Sequence, residues 1–135
     1  MRTLLLAVGR LRPPYADDVQ HYQQLLARYA RLELIEVREN QNVDGRIPER
    51  AFVTLLASDG KEFDSIEFAR FLEESRQSAR DLCFVVGGPR GLDMESCDMR
   101  LSLGRMTLPH QLARVVLLEQ LYRANKIIAG EPYHY

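Results

Sequence analysis

The chain has 135 residues, enough for one buried core and too few for a second, so residues 1–135 are expected to form a single domain. Its 46% hydrophobic and 27% charged residues are those of an ordinary soluble globular protein. A formal net charge of −1 excludes a protein that grips nucleic acid through its overall field, so any such contact has to come from a local patch.

Thr3 to Val8 is a short apolar run closed by Gly9, which suits a buried strand. After Pro13 and Pro14, the residues Val19, Tyr22, Leu25, Leu26 and Tyr29 recur at three- and four-residue spacing and form one stripe of an amphipathic helix. Leu32 to Val37 alternates and reads as a second strand. Glu39 to Arg50 is polar, with turn signals at Asp44-Gly45 and Pro48. Ala51 to Ala57 reads as a third strand, stopped by Ser58-Asp59-Gly60-Lys61. Asp64 followed by Glu67 has the spacing of a capping box and opens a helix to about Arg80. Leu82 to Val86 is a continuous apolar strand running into Gly87-Gly88-Pro89-Arg90-Gly91. A short strand around Leu101 to Leu103 precedes a long helix from about His110 to Ile128, ended by Gly130 and Pro132. Strands alternating with helices predict a mostly parallel α/β sheet. The final helix carries apolar residues on every side, Leu118 and Leu121 among them, which predicts cover from a second copy of the chain.

Three segments carry possible chemistry. The glycine turn after Val86 sits where α/β folds bind ligands, at the carboxyl end of a strand, but it lacks the glycine spacing of a dinucleotide site or a phosphate loop. Leu103 to His110 offers a flexible Gly104, the Thr107 hydroxyl, and Met106 and Leu108 as apolar walls; an ordinary loop with Thr107 capping the helix fits its spacing as well. The tail Gly130 to Tyr135 holds two tyrosines beside His134, able to stack on a base and move a proton, or to dock on the core. The cysteines Cys83 and Cys97 have neither disulfide nor zinc spacing, and no metal constellation is visible. No run approaches membrane length and Met1 to Val8 lacks a cleavage site, so a cytoplasmic protein is expected.

Taken together, Phe84-Val85-Val86-Gly87-Gly88-Pro89-Arg90-Gly91-Leu92, Leu101 through Val115, Leu117 through Ala124 and the terminal Gly130-Glu131-Pro132-Tyr133-His134 resemble the RlmH family of the SPOUT superfamily. Ala7-Val8-Gly9 and Val53-Thr54-Leu55 fit as well. The resemblance implies a SPOUT-type α/β knot, a mostly parallel sheet flanked by helices with a C-terminal trefoil knot. It implies a homodimer that transfers a methyl group from S-adenosyl-L-methionine to N3 of a pseudouridine in 23S rRNA, free or in the assembled ribosome. The cofactor positions it implies are Leu55, Gly88, Gly104, Arg105, Met106, Thr107, Leu108 and Pro109. His134 is the first choice for base or orienter, with Tyr133 beside it and His110 as second choice. Arg105, Arg114 and Tyr135 are the expected RNA contacts, and neither metal nor membrane is expected. The chain departs from the family in a short Gln41 to Pro48 region, in Leu56 where an acidic residue is common, and in ending on Tyr135 where relatives carry Lys or Arg. An alternative is therefore a SAM-binding, catalytically silent RNA or ribosome-assembly factor.

Overall fold

The structure is a computed structural model that describes residues 2–39 and 41–133. Five strands and three α-helices follow in the order β1 (Arg2–Val8), α1 (Tyr15–Leu26), β2 (Arg31–Val37), β3 (Phe52–Glu62), α2 (Ser65–Ser78), β4 (Leu82–Val86), β5 (Met99–Ser102) and α3 (His110–Ala129). The strands form one sheet in the order β2-β1-β4-β3-β5, and every pairing is parallel. The α/β architecture predicted from the alternating pattern is thus the one observed.

Strand alternation sorts the apolar residues onto two faces. Leu5, Ala7, Phe84, Val86 and Leu101 face all three helices. Leu4, Leu6, Val53, Leu55 and Val85 face the other way, onto Val43, Ile47, Ala51, Leu92 and Met94. A parallel sheet needs cover on both faces, and here the second cover is loop. The short segment after β2 supplies it with a single 3-10 turn at Asp44–Arg46. Among the described residues the α-helices therefore flank this sheet on one side.

Local signals explain the element ends. Asp64 accepts from the Glu67 amide while the Glu67 side chain accepts from the Asp64 amide, so the expected capping box closes α2 at its start. Gly130 ends α3 in the left-handed conformation. Thr107 does not cap α3, whose N-cap is Pro109.

Two expectations are corrected. β3 does not stop at Ala57 but runs on to Glu62, because Leu56 and Lys61 both pair with Leu101 and the residues between them bulge out. Gly60 makes the bulge fit: a Cβ there would lie 2.6 Å from the Arg100 carbonyl carbon. The second correction concerns α3. Leu118 and Leu121 are 0% and 3% exposed, packed within the chain's own core with residues of α1 and α2. Its Leu112, Val115 and Val116 stay partly exposed. Leu118 and Leu121 are therefore covered inside one chain, while Ile127 and Ile128, like those three, stay partly exposed.

Candidate functional site

At the carboxyl ends of β3 and β4 the chain forms an open cavity of about 450 Å3. Its walls are the β3 bulge (Leu56 to Asp59), the turn after β4 (Gly87, Gly88, Gly91, Leu92) and the loop between β5 and α3 (Leu103, Gly104, Met106, Thr107, Leu108). Arg100 of β5 also lines it, bonded at 2.8 Å to Asp59 from the bulge and at 2.8 Å to Asp93 beyond the glycine turn. That bridge ties two walls together, and the Arg100 guanidinium holds the Asp59 carboxyl below the usual carboxylate range. Met106 is 83% exposed, an unusual state for a large apolar side chain. Gly104 has φ +141° with open space where a side chain would begin, so glycine is needed there for backbone conformation alone.

The sequence-predicted cofactor residues divide. Gly88, Gly104, Met106, Thr107 and Leu108 line this cavity; the side chain of Leu55 does not. Leu55 is wholly buried in the loop-covered core, and alternation turns its neighbour Leu56 into the cavity instead. Arg105 and Pro109 are exposed parts of the same loop, outside the lining. A Cβ on Gly88 would press on Val8 and Glu39 at 3.2 and 3.3 Å, so this glycine serves close packing against the β1 and β2 ends. Leu56, Ser58, Asp59 and Arg100 were missed. The signal for them lay in Ser58-Asp59-Gly60, which marks a bulge as readily as a strand stop.

His110, the first residue of α3, lines this cavity and also a second of about 480 Å3 beside it. The second is a groove formed by Gly9, Arg10 and Arg12 after β1, Val37 to Glu39 at the end of β2, and Pro89. The His110 imidazole is pushed below its ordinary pKa, first by partial burial and then by the charges of Arg114 and Arg12, against a weaker opposite pull from Glu39. It is therefore neutral at neutral pH and free to accept a proton.

Arg114 is not the exposed phosphate contact expected of it. It is 3% exposed, its Nη1 donates to Glu36 at 2.9 Å, and its Nη2 donates to the carbonyls of Gly9 at 2.8 Å and Val8 at 3.2 Å. A charge so deeply buried persists only when paired and hydrogen-bonded, and here it is spent on holding the end of β1.

Tyr133 packs on the core, with its ring edge-on to Tyr122, Arg123 over its face and its hydroxyl donating to Glu119 at 3.1 Å. Burial and the Glu119 charge push the phenol up to about 12, which keeps it protonated. Tyr122 lies twelve residues along α3 from His110, roughly 18 Å at 1.5 Å per residue. The structure thus brings His110 to the cavity and leaves Tyr133 docked far from it. His134 and Tyr135 lie outside the described residues. Among the described residues no group of His, Cys, Asp and Glu is arranged to hold a metal ion, and no helix is long and apolar enough to cross a membrane.

A parallel α/β sheet thus carries a cavity lined in part by glycines at its strand ends, which meets a polar groove at His110, the place where α/β proteins commonly bind ligands. Comparisons with known proteins make this specific. Residues 1–134 match the family described as "Predicted SPOUT methyltransferase". The chain is 42% identical to a Gemmatimonas aurantiaca protein named "Ribosomal RNA large subunit methyltransferase H", covering 99% of each chain. It is 41% identical to a protein of that name from Gloeobacter violaceus, covering 100% of this chain and 99% of the relative. The first match spans 153 positions against the 135 residues of this chain, so the relative carries residues that this chain lacks. A crystal structure of a probable methyltransferase from Bordetella pertussis Tohama I superposes with a TM-score of 0.65 at 13% identity over 92% of this chain and 94% of that one, which shows the shared fold. The chain belongs to the SPOUT methyltransferase family, alongside the ribosomal RNA large subunit methyltransferase H proteins.

Proposed function

We propose that this chain is a 23S rRNA methyltransferase that transfers the methyl group of S-adenosyl-L-methionine to N3 of a pseudouridine, in the cytoplasm, on rRNA within the ribosome. The observation that carries the reading is the cavity between the β3 bulge, the glycine turn and the loop after β5, in a chain whose full-length relatives bear an rRNA methyltransferase name. Its residues fit such a cofactor. About 450 Å3 is within the range of ligand pockets. Leu56, Leu92, Met106 and Leu108 offer walls for a flat apolar ring, while the main chain at Gly88 and Gly104 to Leu108 and the Thr107 hydroxyl offer polar edges. When bound, the cofactor supplies an already activated methyl group.

The remaining work is positioning and removal of the N3 proton. His110 sits where the two cavities meet, and its neutral imidazole takes that proton on a ring nitrogen. His134 is the second group suited to hold or orient the base. Tyr133 itself is docked on α3, away from both cavities, and a homodimer belongs to this reading. The single domain over 1–135 and the C-terminal trefoil knot belong to it too. Arg105 and Tyr135 stand as RNA contacts; Arg114 does not.

The experiment is to map modified nucleotides in ribosomal RNA before and after incubation with the protein and S-adenosyl-L-methionine. A new methylated pseudouridine in the large subunit is expected. Cofactor binding by calorimetry with unmodified RNA would leave the silent assembly factor as the correct reading.

A further inference from the structure

The groove on the far side of His110 combines three cations with an unusually constrained main chain. Arg10, Arg12 and Arg38 all line it and all are exposed. Among the described residues, none of the three has a carboxylate within salt-bridge distance, whereas Arg2, Arg100 and Arg114 each do. Of the two carboxylates in the groove, Glu36 is already paired with Arg114, leaving Glu39 as the counter-charge. The local balance is therefore positive in a chain whose net charge is −1.

The backbone that carries two of these arginines is held on every side. The Gln111 carboxamide accepts from the Arg12 amide at 2.8 Å and donates to the Arg10 carbonyl at 2.8 Å. Glu36 accepts from the Leu11 amide at 2.7 Å. Arg114 binds the carbonyl of Gly9, and the Gly9 amide donates to Val37 at 2.8 Å. Gln111 and Arg114 are both buried, so the fold commits two polar side chains from α3 to fixing a loop whose own guanidiniums point to solvent. Fixing the stem before the ligand arrives lowers the ordering cost of binding, and a planar guanidinium matches the oxygens of a phosphate.

We propose that Arg10, Arg12 and Arg38 form a seat for the phosphodiester backbone of the RNA strand, with Gln111, Arg114 and Glu36 as the residues that position it. This rests on the RNA-methyltransferase reading for the choice of anion. The groove runs alongside the cofactor cavity and shares His110 with it, so a strand seated there presents its base to the residue placed to take the proton.

The test is fluorescence anisotropy with a labelled mixed-sequence single-stranded RNA 20-mer, titrated at several salt concentrations. Arg10, Arg12 and Arg38 are changed together to Gln, or together to Lys, and Arg70→Gln on α2 is the control. The Gln variant should lose on the order of ten- to a hundredfold in affinity at low salt, and its plot of log affinity against log salt should flatten by about 2, as three lost single-strand contacts predict. The Lys variant should keep most of that slope, and the control should match the parent. S-adenosyl-L-methionine affinity by calorimetry should be the same in all four proteins. If the triple Gln variant does not fold, each single Gln variant should flatten the slope by about 0.7. A parent-like slope in the Gln variants, a parent that does not bind the 20-mer at low salt, or an equal loss in Arg70→Gln overturns the seat. Failure of the parent to bind S-adenosyl-L-methionine overturns the methyltransferase reading and leaves the RNA result standing.

Discussion

On one side of His110 the cavity sets glycines (Gly87, Gly88 and Gly91 after β4, and Gly104 before α3) among apolar walls from Leu56, Leu92, Met106 and Leu108. On the other side the groove carries long charged side chains on a main chain that buried Gln111 and Arg114, together with Glu36, hold in place. The first region is specified by what must be absent, since glycine is needed for backbone approach and conformation. The second is specified by hydrogen bonds between segments about a hundred positions apart, as in Gln111 to Arg10 and Arg12. A substitution should therefore harm the two regions in separable ways, one through cofactor affinity and one through salt-dependent RNA affinity.

The largest effect is expected at the residue the two regions share. His110→Ala should lower single-turnover methylation of ribosomal particles by about 10²–10⁴-fold, the usual worth of a positioned base, with cofactor affinity changed little. Parent-like rates in that variant, with a loss in His134→Ala, would move the proton acceptor to the tail. Next comes Arg114→Met. It removes the bonds to Glu36, Gly9 and Val8, and because Glu36 is 43% exposed it can rehydrate, so the cost should fall near the low end for a broken buried pair, about 2–3 kcal/mol. Thermal unfolding should show this as a drop of roughly 6–12 °C. If the loop is positioned as described, KM for ribosomes should also rise more than kcat falls, a split that loss of stability alone does not produce.

The same contrast explains what the sequence disclosed. The strands, the capping box at Asp64, the glycine turn and the loop to His110 were legible because each is written in neighbouring residues. The resemblance marks Leu55, whose side chain faces the loop-covered core, while that of Leu56 faces the cavity, because the sheet assigns alternate residues to opposite faces. Leu118 and Leu121 looked like interface because periodicity shows that a helix is apolar, not what covers it; α1 and α2 do. Arg114 was named among the RNA contacts, with Arg105 and Tyr135, because nothing local distinguishes a buried arginine from an exposed one. Its burial follows from Glu36, 78 positions away.

Gly60 sharpens the cofactor side. It belongs to the bulge, not to the cavity lining, and a Cβ there would meet the Arg100 backbone. Gly60→Ala should cost about 1–3 kcal/mol as strands β3 and β5 are forced apart. Because the bulge carries Asp59 and the strand it displaces carries Arg100, cofactor affinity should fall while the salt slope for RNA stays at the parent value. An unchanged melting temperature would mean that the bulge relaxes and that the close approach is not structural.

The smallest effect concerns the charge that passes between the two regions. Partial burial, Arg114 and Arg12 lower the His110 pKa, and Glu39 raises it more weakly. A histidine whose folded pKa lies below its unfolded value stabilises the fold fully above about pH 6.5, and that contribution is lost as pH falls through the unfolded and then the folded value. The acidic limb of the methylation profile should likewise lie below the ordinary histidine range, since His110 must be neutral to accept a proton. Arg12→Gln removes one of the two repelling cations and leaves burial and Arg114 in place, so the pKa should move up only part of the way. Glu39→Gln should move it further down. Titration of the His110 ring proton by NMR reads both shifts without cofactor or RNA, and the kcat profile should follow in the same directions. A His110 pKa that ignores Arg12 would show that the groove and the cavity are electrically separate, and that the arginines act on the RNA alone.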